Sequence, residues 1–178
     1  MKKTIITLCA LLLTFSFVSN ATSNEEILDI LTYNAQLKSA FQLYKESDFE
    51  KALPELLVFA KRGDKMSQYI VGTMYLNSQG SEQDLLKSYA WLMVANEQRS
   101  DEWAAPLNML NNKLPADFLA QANIEAQHYI EDYGVTAQQL KCRRTKTLGS
   151  RIKTHICKKS EVKKGYYFVS NPTYLVSN

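Results

Sequence analysis

SQYIVGTMYLNSQGSEQDLLKSYAWLMVANEQ, residues 67–98, reads as a helix, a break and a second helix. The first is expected over about 66 to 77 and ends where Ser78, Gly80 and Ser81 interrupt the apolar pattern. Asp84 stands where a helix needs an acceptor for its free N–H groups. The helix after it carries Leu85, Leu86, Tyr89, Trp91, Leu92 and Met93, an arc too wide to be covered by one neighbour, and stops near Gln98. Short helices joined by short loops suggest antiparallel pairs, which directs the search to an internal repeat.

The same pattern continues on both sides, and residues 24–133 read as helix after helix, without a run of β-branched residues between turn signals. Ser47-Asp48-Phe49-Glu50 has the form of a capping box before a helix of about 48 to 62, which Gly63-Asp64 ends. A short helix is expected over about 101 to 112, with Asp101 and Glu102 in its first turn facing the free N–H groups. Pro115 opens the last helix, where Phe118, Ala122, Ala126, Tyr129, Ile130 and Tyr133 recur at helical spacing, and Gly134 closes it. An internal echo is present. Tyr44-x3-Asp48-Phe49-x-Lys51-Ala52-Leu53 followed by Ala60-x2-Gly63-Asp64 returns loosely, about 36 residues later, as Gly80-x3-Asp84-x2-Lys87-x2-Ala90-Trp91.

Gly72-x-Met74-Tyr75, Gly80, Asp84, Lys87, Trp91 and Ala95 resemble the Sel-one-like repeat family, a branch of the tetratricopeptide-type helical repeats. The resemblance covers about residues 38–133, with 67–98 as one complete unit. It departs from the family pattern at Ser67 and Ser88, which replace small Ala, at Ser78, which replaces the first loop glycine, and at Asn96, Arg99 and Ser100. It implies a mainly α fold, a short α-solenoid of antiparallel helix pairs that holds other proteins or peptides on a helical surface. It implies neither catalysis nor a cofactor. Gly72, Tyr75, Gly80, Asp84, Trp91 and Ala95 are framework residues in this reading: a close helix approach, a positive-φ turn, a cap and a space-filling ring. Two units or fewer fall short of the three that such stacks need, so the last helix and the C-terminal segment are expected to cap the ends.

The first 21 residues are set apart from the fold. Lys2 and Lys3 precede an apolar run from Ile5 to Val18, and Ser19-Asn20-Ala21 offers small residues for cleavage, the pattern of a secretory signal peptide. A membrane anchor needs about 18 to 20 apolar residues, and this run is shorter. Leu8 before Cys9 argues against lipidation. The expected organisation is a signal peptide at 1–21, a helical domain at 22–134 and a basic, aromatic-ended segment at 135–178, with the product periplasmic or secreted and without a transmembrane segment in its mature form.

Charge is unevenly distributed. The chain has 21 Lys and Arg against 18 Asp and Glu, a net +3; residues 22–140 carry 9 basic and 17 acidic residues, whereas residues 141–164 carry 10 and 1. Within the basic segment, Cys142 and Cys157 are the cysteines left after loss of Cys9. In an oxidising compartment they are expected to form a structural disulfide contributing about 3 kcal/mol. A metal site is not expected, because two Cys with His128 and His155 are a poor zinc set. The midpoint of the two cysteines falls between Gly149 and Ser150, which places Cys142 opposite Cys157 in a hairpin with a two-residue turn. One face then pairs Arg143 with Ile156, Thr145 with Thr154 and Thr147 with Ile152. The other pairs Arg144 with His155, Lys146 with Lys153 and Leu148 with Arg151. In that turn the cysteines occupy a hydrogen-bonded pair, where side chains stand further apart, so a bulge or longer loop is a competing arrangement.

Facing lysines need a reason. A solvated edge, docking onto the acidic helical unit, or an anionic envelope partner bound by Arg143, Arg144, Lys146, Arg151 and Lys153 each supplies one. Nucleic acid is not expected, because the segment lacks interleaved aromatic rings and an exported protein would rarely meet it. The C-terminal Tyr166, Tyr167, Phe168, Tyr174 and Leu175 read as a strand or extended arm packed on the hairpin or helices, with a turn at Asn171-Pro172. No nucleophile, metal or phosphate-loop motif is present. His128 with Glu125, Glu131 and Asp132 fits a polar helix face better than an acid–base pair. The leading expectation is an exported binding or scaffold module for an unidentified protein or peptide, without catalysis. The alternatives are a self-contained structural domain whose basic hairpin caps its own stack and, as a minor one, an envelope hydrolase.

Overall fold

The computed structural model describes residues 24–146 and 153–171, and the 1–21 segment, the turn at Gly149-Ser150, Arg151 with its partner Leu148, the Thr147–Ile152 pair, Pro172, Tyr174 and Leu175 lie outside them. Six helices follow one another: α1 (Ile30–Lys45), α2 (Phe49–Lys61), α3 (Lys65–Leu76), α4 (Leu85–Asn96), α5 (Asp101–Lys113) and α6 (Ala116–Tyr133). The limits of α2 to α6 fall within a residue or two of those read from the turn signals. α1 packs on α2, α2 on α3 and α3 on α4, the antiparallel stacking of an α-solenoid. The third pair differs. α5 leans on α4, while α6 lies along α4 and reaches α2, so the last helix covers the stack.

The framework residues sit where their chemistry requires. A Cβ on Gly72 would lie 2.8 Å from Leu92 Cγ, so hydrogen alone at this position sets the α3–α4 distance. Gly80 has φ +76°, and Asp84 accepts from Lys87 N at 2.9 Å as the α4 cap. Trp91 is buried between α4 and α6, stacked on Tyr133 at 5.1 Å and edge-on to Tyr129 at 4.9 Å. Tyr75 and Ala95 are buried in the same stack.

The departures from the repeat pattern are absorbed individually. Ser78 and Arg99 stand at turn positions and adopt φ of 56° and 53°, so the left-handed backbone persists without the glycine that makes it easy. Ser67 is fully buried, and its hydroxyl donates to Asp64 Oδ1 at 2.7 Å, which compensates its burial. Ser88 is equally buried, and its Oγ has no partner among the described residues.

Two sequence-based expectations fail locally. The capping box does not form: Ser47 has φ +62°, Asp48 is the N-cap of α2, and its carboxylate meets Lys51 Nζ at 2.6 Å instead of a backbone N–H. The region from 24 onward is not wholly helical either. Asn24–Asp29 is a strand, β1, because its backbone finds a partner about 140 residues away that no local pattern announces.

That partner is β5 (Tyr166–Asn171), antiparallel to β1 and flanked on its other edge by β4 (Glu161–Lys163), giving the order β1-β5-β4. Val169 is fully buried in the α1–α2–α3 core, and Tyr167 meets Tyr33 of α1 edge-on at 5.4 Å. The described part of the aromatic tail is thus a packed strand, the arrangement expected of it. Ile30 N donates to Gly165 O at 2.9 Å, tying the start of α1 to the same turn. The described residues of 135–146 and 153–171 pass the turns that follow α2 and α4, where Gln138 packs on Gly63 and Cys157 on Gln98, and end paired with β1.

Candidate functional site

The basic segment forms a two-stranded hairpin, β2 (Lys141–Lys146) with β3 (Lys153–Lys158), in the register Cys142 to Cys157, Arg143 to Ile156, Arg144 to His155, Thr145 to Thr154 and Lys146 to Lys153. This is the register that the cysteine spacing implied. The disulfide joins the two strands with Cα atoms 3.9 Å apart. One detail is corrected: Cys157 N–H points away from β2 and donates to Gln98 Oε1 at 2.9 Å, so the cysteines occupy a non-hydrogen-bonded pair, the closer kind.

That outward amide docks the hairpin. His155 Nδ1 lies 3.1 Å from Gln98 O, and Cys157 Sγ lies 3.8 Å from Glu97 O, so the strand rests on the turn after α4 through uncharged groups. Beneath this turn is a buried polar network. Lys65 Nζ, in a side chain 3% exposed, donates to Gln68 Oε1 at 2.9 Å, to Val94 O at 3.0 Å and to Glu97 Oε2 at 2.7 Å. Glu97 Oε2 also accepts from Val135 N at 3.0 Å, and Gln68 Nε2 donates to Ala60 O and Tyr133 O. Burial holds the Lys65 ammonium below the ordinary lysine value, and Glu97 opposes that shift. One cluster therefore binds the ends of α2, α4 and α6 to the start of α3 and, through Glu97 and Gln98, positions the hairpin.

The cations divide between two faces. Arg144, Lys146 and Lys153 share the disulfide face, and Arg143 belongs to the other. All four are exposed, and none takes part in the ion pairs of the described residues, which are Lys51–Asp48, Arg62–Glu26, Lys65–Glu97 and Lys87–Asp84. On the Arg143 face lies a groove of about 270 Å³ lined by Lys141, Arg143, Thr145, Ile156, Lys158, Lys159 and Ser160. Lys141, Lys158, Lys159 and Ser160 were not among the residues singled out from sequence. The alternation that assigned Arg143 to this face also assigns Lys141 and Lys158 to it when carried one pair beyond the disulfide.

A second cleft of about 240 Å³ adjoins the groove, lined in part by Tyr33, Asp64, Lys159 and Tyr167. Lys159 Nζ donates to Phe168 O at 2.9 Å. Burial, with Arg62 adding repulsion, pushes its ammonium down to about 8, while Asp64 works against the shift. Burial raises the Asp64 carboxyl above its usual range despite the two bonds from Ser67.

The Lys159 shift has a thermodynamic consequence. Between about 8 and the unfolded value of 10.5, the unfolded chain binds more protons at this site, so stability rises with pH. Melting temperature is expected to climb by about 3 °C from pH 7.5 to 9.5, and Lys159→Met should reduce that slope, leaving the part of the same sign that belongs to Lys65. Tyr33 and Tyr129, whose hydroxyls burial raises, act oppositely only above pH 10, outside this window. A flat wild-type profile, or the same slope in the variant, would contradict the assignment.

Cys142, His155 and Cys157 bring donor atoms within 4.8 Å of one another, a spacing that could suit a metal ion. Both sulfurs are consumed by the disulfide, and His155 Nδ1 faces Gln98 O, so this donor set does not suit a cation. His128 is exposed on α6. No helix among the described residues is long and apolar enough to cross a membrane.

Stacked antiparallel helix pairs, closed at one edge by a β-segment, define a short α-solenoid of the Sel-one-like repeat type. The chain is similar to the crystal structure of a protective antigen present in uropathogenic Escherichia coli strains that displays an SLR fold, at 25% identity and a TM-score of 0.53. The match covers 66% of this chain and 27% of that one, so the chain spans about a quarter of the similar structure. No family model and no curated protein matches the chain.

Proposed function

We propose that the chain is an exported, non-catalytic scaffold or protein-interaction module of the bacterial envelope, which uses its helical surface to hold a protein or peptide and its basic hairpin to engage an anionic partner. Residues 1–21 are removed on export in this reading, and the Cys142–Cys157 disulfide suits the oxidising compartment beyond. The similarity to an SLR-fold antigen supports the scaffold role. The observation that carries the anionic partner is the hairpin's mode of attachment. It docks through Gln98, His155 and the Cys157 amide, and leaves Arg143, Arg144, Lys146 and Lys153 exposed. Cations that served only to cap the acidic stack would be spent on carboxylates.

Replacing Arg143, Arg144, Lys146, Arg151 and Lys153 together by Gln is expected to abolish salt-sensitive retention of the protein on an isolated envelope fraction while moving the melting temperature by less than about 2 °C. Retention unchanged by the five substitutions would overturn the proposal. The second reading, a self-contained domain, is favoured by the contacts of His155 and Cys157 with the stack. It predicts instead that the same variant, and added salt, lower the melting temperature with no partner involved.

A further inference from the structure

The groove on the Arg143 face has features that a solvated edge does not require. Lys141 stands directly opposite Lys158, one pair beyond the disulfide, with Arg143 next along the same face. Like charges in register repel, and here a covalent bond at the adjacent position keeps them together. Thr145 and Ser160 add hydroxyls, Ile156 adds a small apolar floor, and the lining contains no acid. The nearest carboxylate in sequence, Glu161, is engaged as acceptor for Gly165 N at 3.2 Å. Lys159 contributes its stem, since its ammonium donates to Phe168 O. Lys141, Arg143 and Lys158, none of them in an ion pair among the described residues, therefore line one concavity on a strand pair that the disulfide holds together.

We infer that this groove is a binding site for a phosphate or diphosphate ester carried on a sugar or glycerol unit. A tetrahedral polyanion can accept from a guanidinium fork, two ammonium groups and hydroxyls arriving from several directions, whereas a planar carboxylate would leave some of these donors unused. The charge required is two to three negatives, which a diphosphate supplies. The volume of about 270 Å³ leaves space beside the phosphates for the unit that bears them. Arg144, Lys146 and Lys153, on the opposite face, stand outside the site. The inference deepens the anionic-partner reading and rests on it.

The test compares the groove with cations elsewhere on the chain. Pyrophosphate titrated into the oxidised protein is expected to bind saturably with one site, and Lys141→Gln with Lys158→Gln should weaken it at least about tenfold. Lys38→Gln with Lys113→Gln, exposed positions on α1 and α5 outside the hairpin, should change it less than about twofold. Amide shifts in the unsubstituted protein supply an independent measurement and should cluster at residues 141–145 and 156–160. Equal weakening by both double variants, shifts scattered over the surface, or no saturation at millimolar pyrophosphate would overturn the site. A hexose 1-phosphate and phosphatidylcholine vesicles bearing phosphatidic acid distinguish the source: preference for the soluble ester assigns a glycan phosphate, preference for the vesicle a lipid headgroup, and either supports the chemistry. If envelope retention is lost in the five-site variant while pyrophosphate fails to bind, the site falls and the broader reading stands. If retention survives as well, both fall.

Discussion

Truncation of Trp91 to Ala is expected to lower stability by about 3–5 kcal/mol, among the largest effects available to a single substitution in this chain. The ring is 2% exposed and is shared by two helices that are distant in sequence, stacking on Tyr133 at 5.1 Å and meeting Tyr129 edge-on at 4.9 Å. Its removal opens a cavity between α4 and α6 that the neighbouring rings cannot fill without breaking their own edge-on contact at 5.7 Å. Because α6 covers the stack, the loss reaches α2 as well. A fall in melting temperature of about 10 °C or more is expected, together with loss of near-ultraviolet dichroism from the ring cluster. Trp91→Phe should recover part of it. A drop of under about 1 kcal/mol would show that α6 is not held by this ring.

The second large effect belongs to the buried network. Glu97→Ala is expected to cost about 3–5 kcal/mol, because it strips the carboxylate from an ammonium that has little access to water and leaves Val135 N–H without its acceptor. Lys65→Met on its own should cost less, since Glu97 is 26% exposed and can take water in place of the lysine. The double variant should be clearly more stable than the sum of the two losses implies, with a coupling of about 1–3 kcal/mol in a urea double-mutant cycle. Strict additivity would mean that the two groups do not act as a pair. Glu97→Ala should also loosen the hairpin, because Glu97 and Gln98 present the acceptors on which β3 rests.

These two sites differ in how far they could be read in advance. Trp91 stands on a helix whose apolar arc was too wide for one neighbour, so its burial between two partners followed from spacing alone. Lys65 and Glu97 are 32 positions apart, and each looks like an ordinary surface charge at a helix end. Only the stacking of α3 on α4 brings them to 2.7 Å and removes the water between them. The hairpin divides in the same way. Cysteine spacing gives the register, and strand alternation gives the faces, but the choice of Cys157 N–H as an outward donor depends on Gln98 being at hand.

The order and limits of the helices, the antiparallel pairing, the close approach at Gly72 and the opposition of Cys142 to Cys157 were determined by the sequence itself, because caps, glycines and apolar periodicity act within a few residues of one another. The tertiary structure alone decided that Asn24–Asp29 is a strand, that Ser47 yields the cap to Asp48, that Lys65 is buried, and that Lys159 and Ser160 complete the groove on the Arg143 face. Each of those outcomes turns on a partner or a solvent exposure set by distant parts of the chain, and backbone hydrogen bonds and buried charges take whichever partner the packed fold brings within reach.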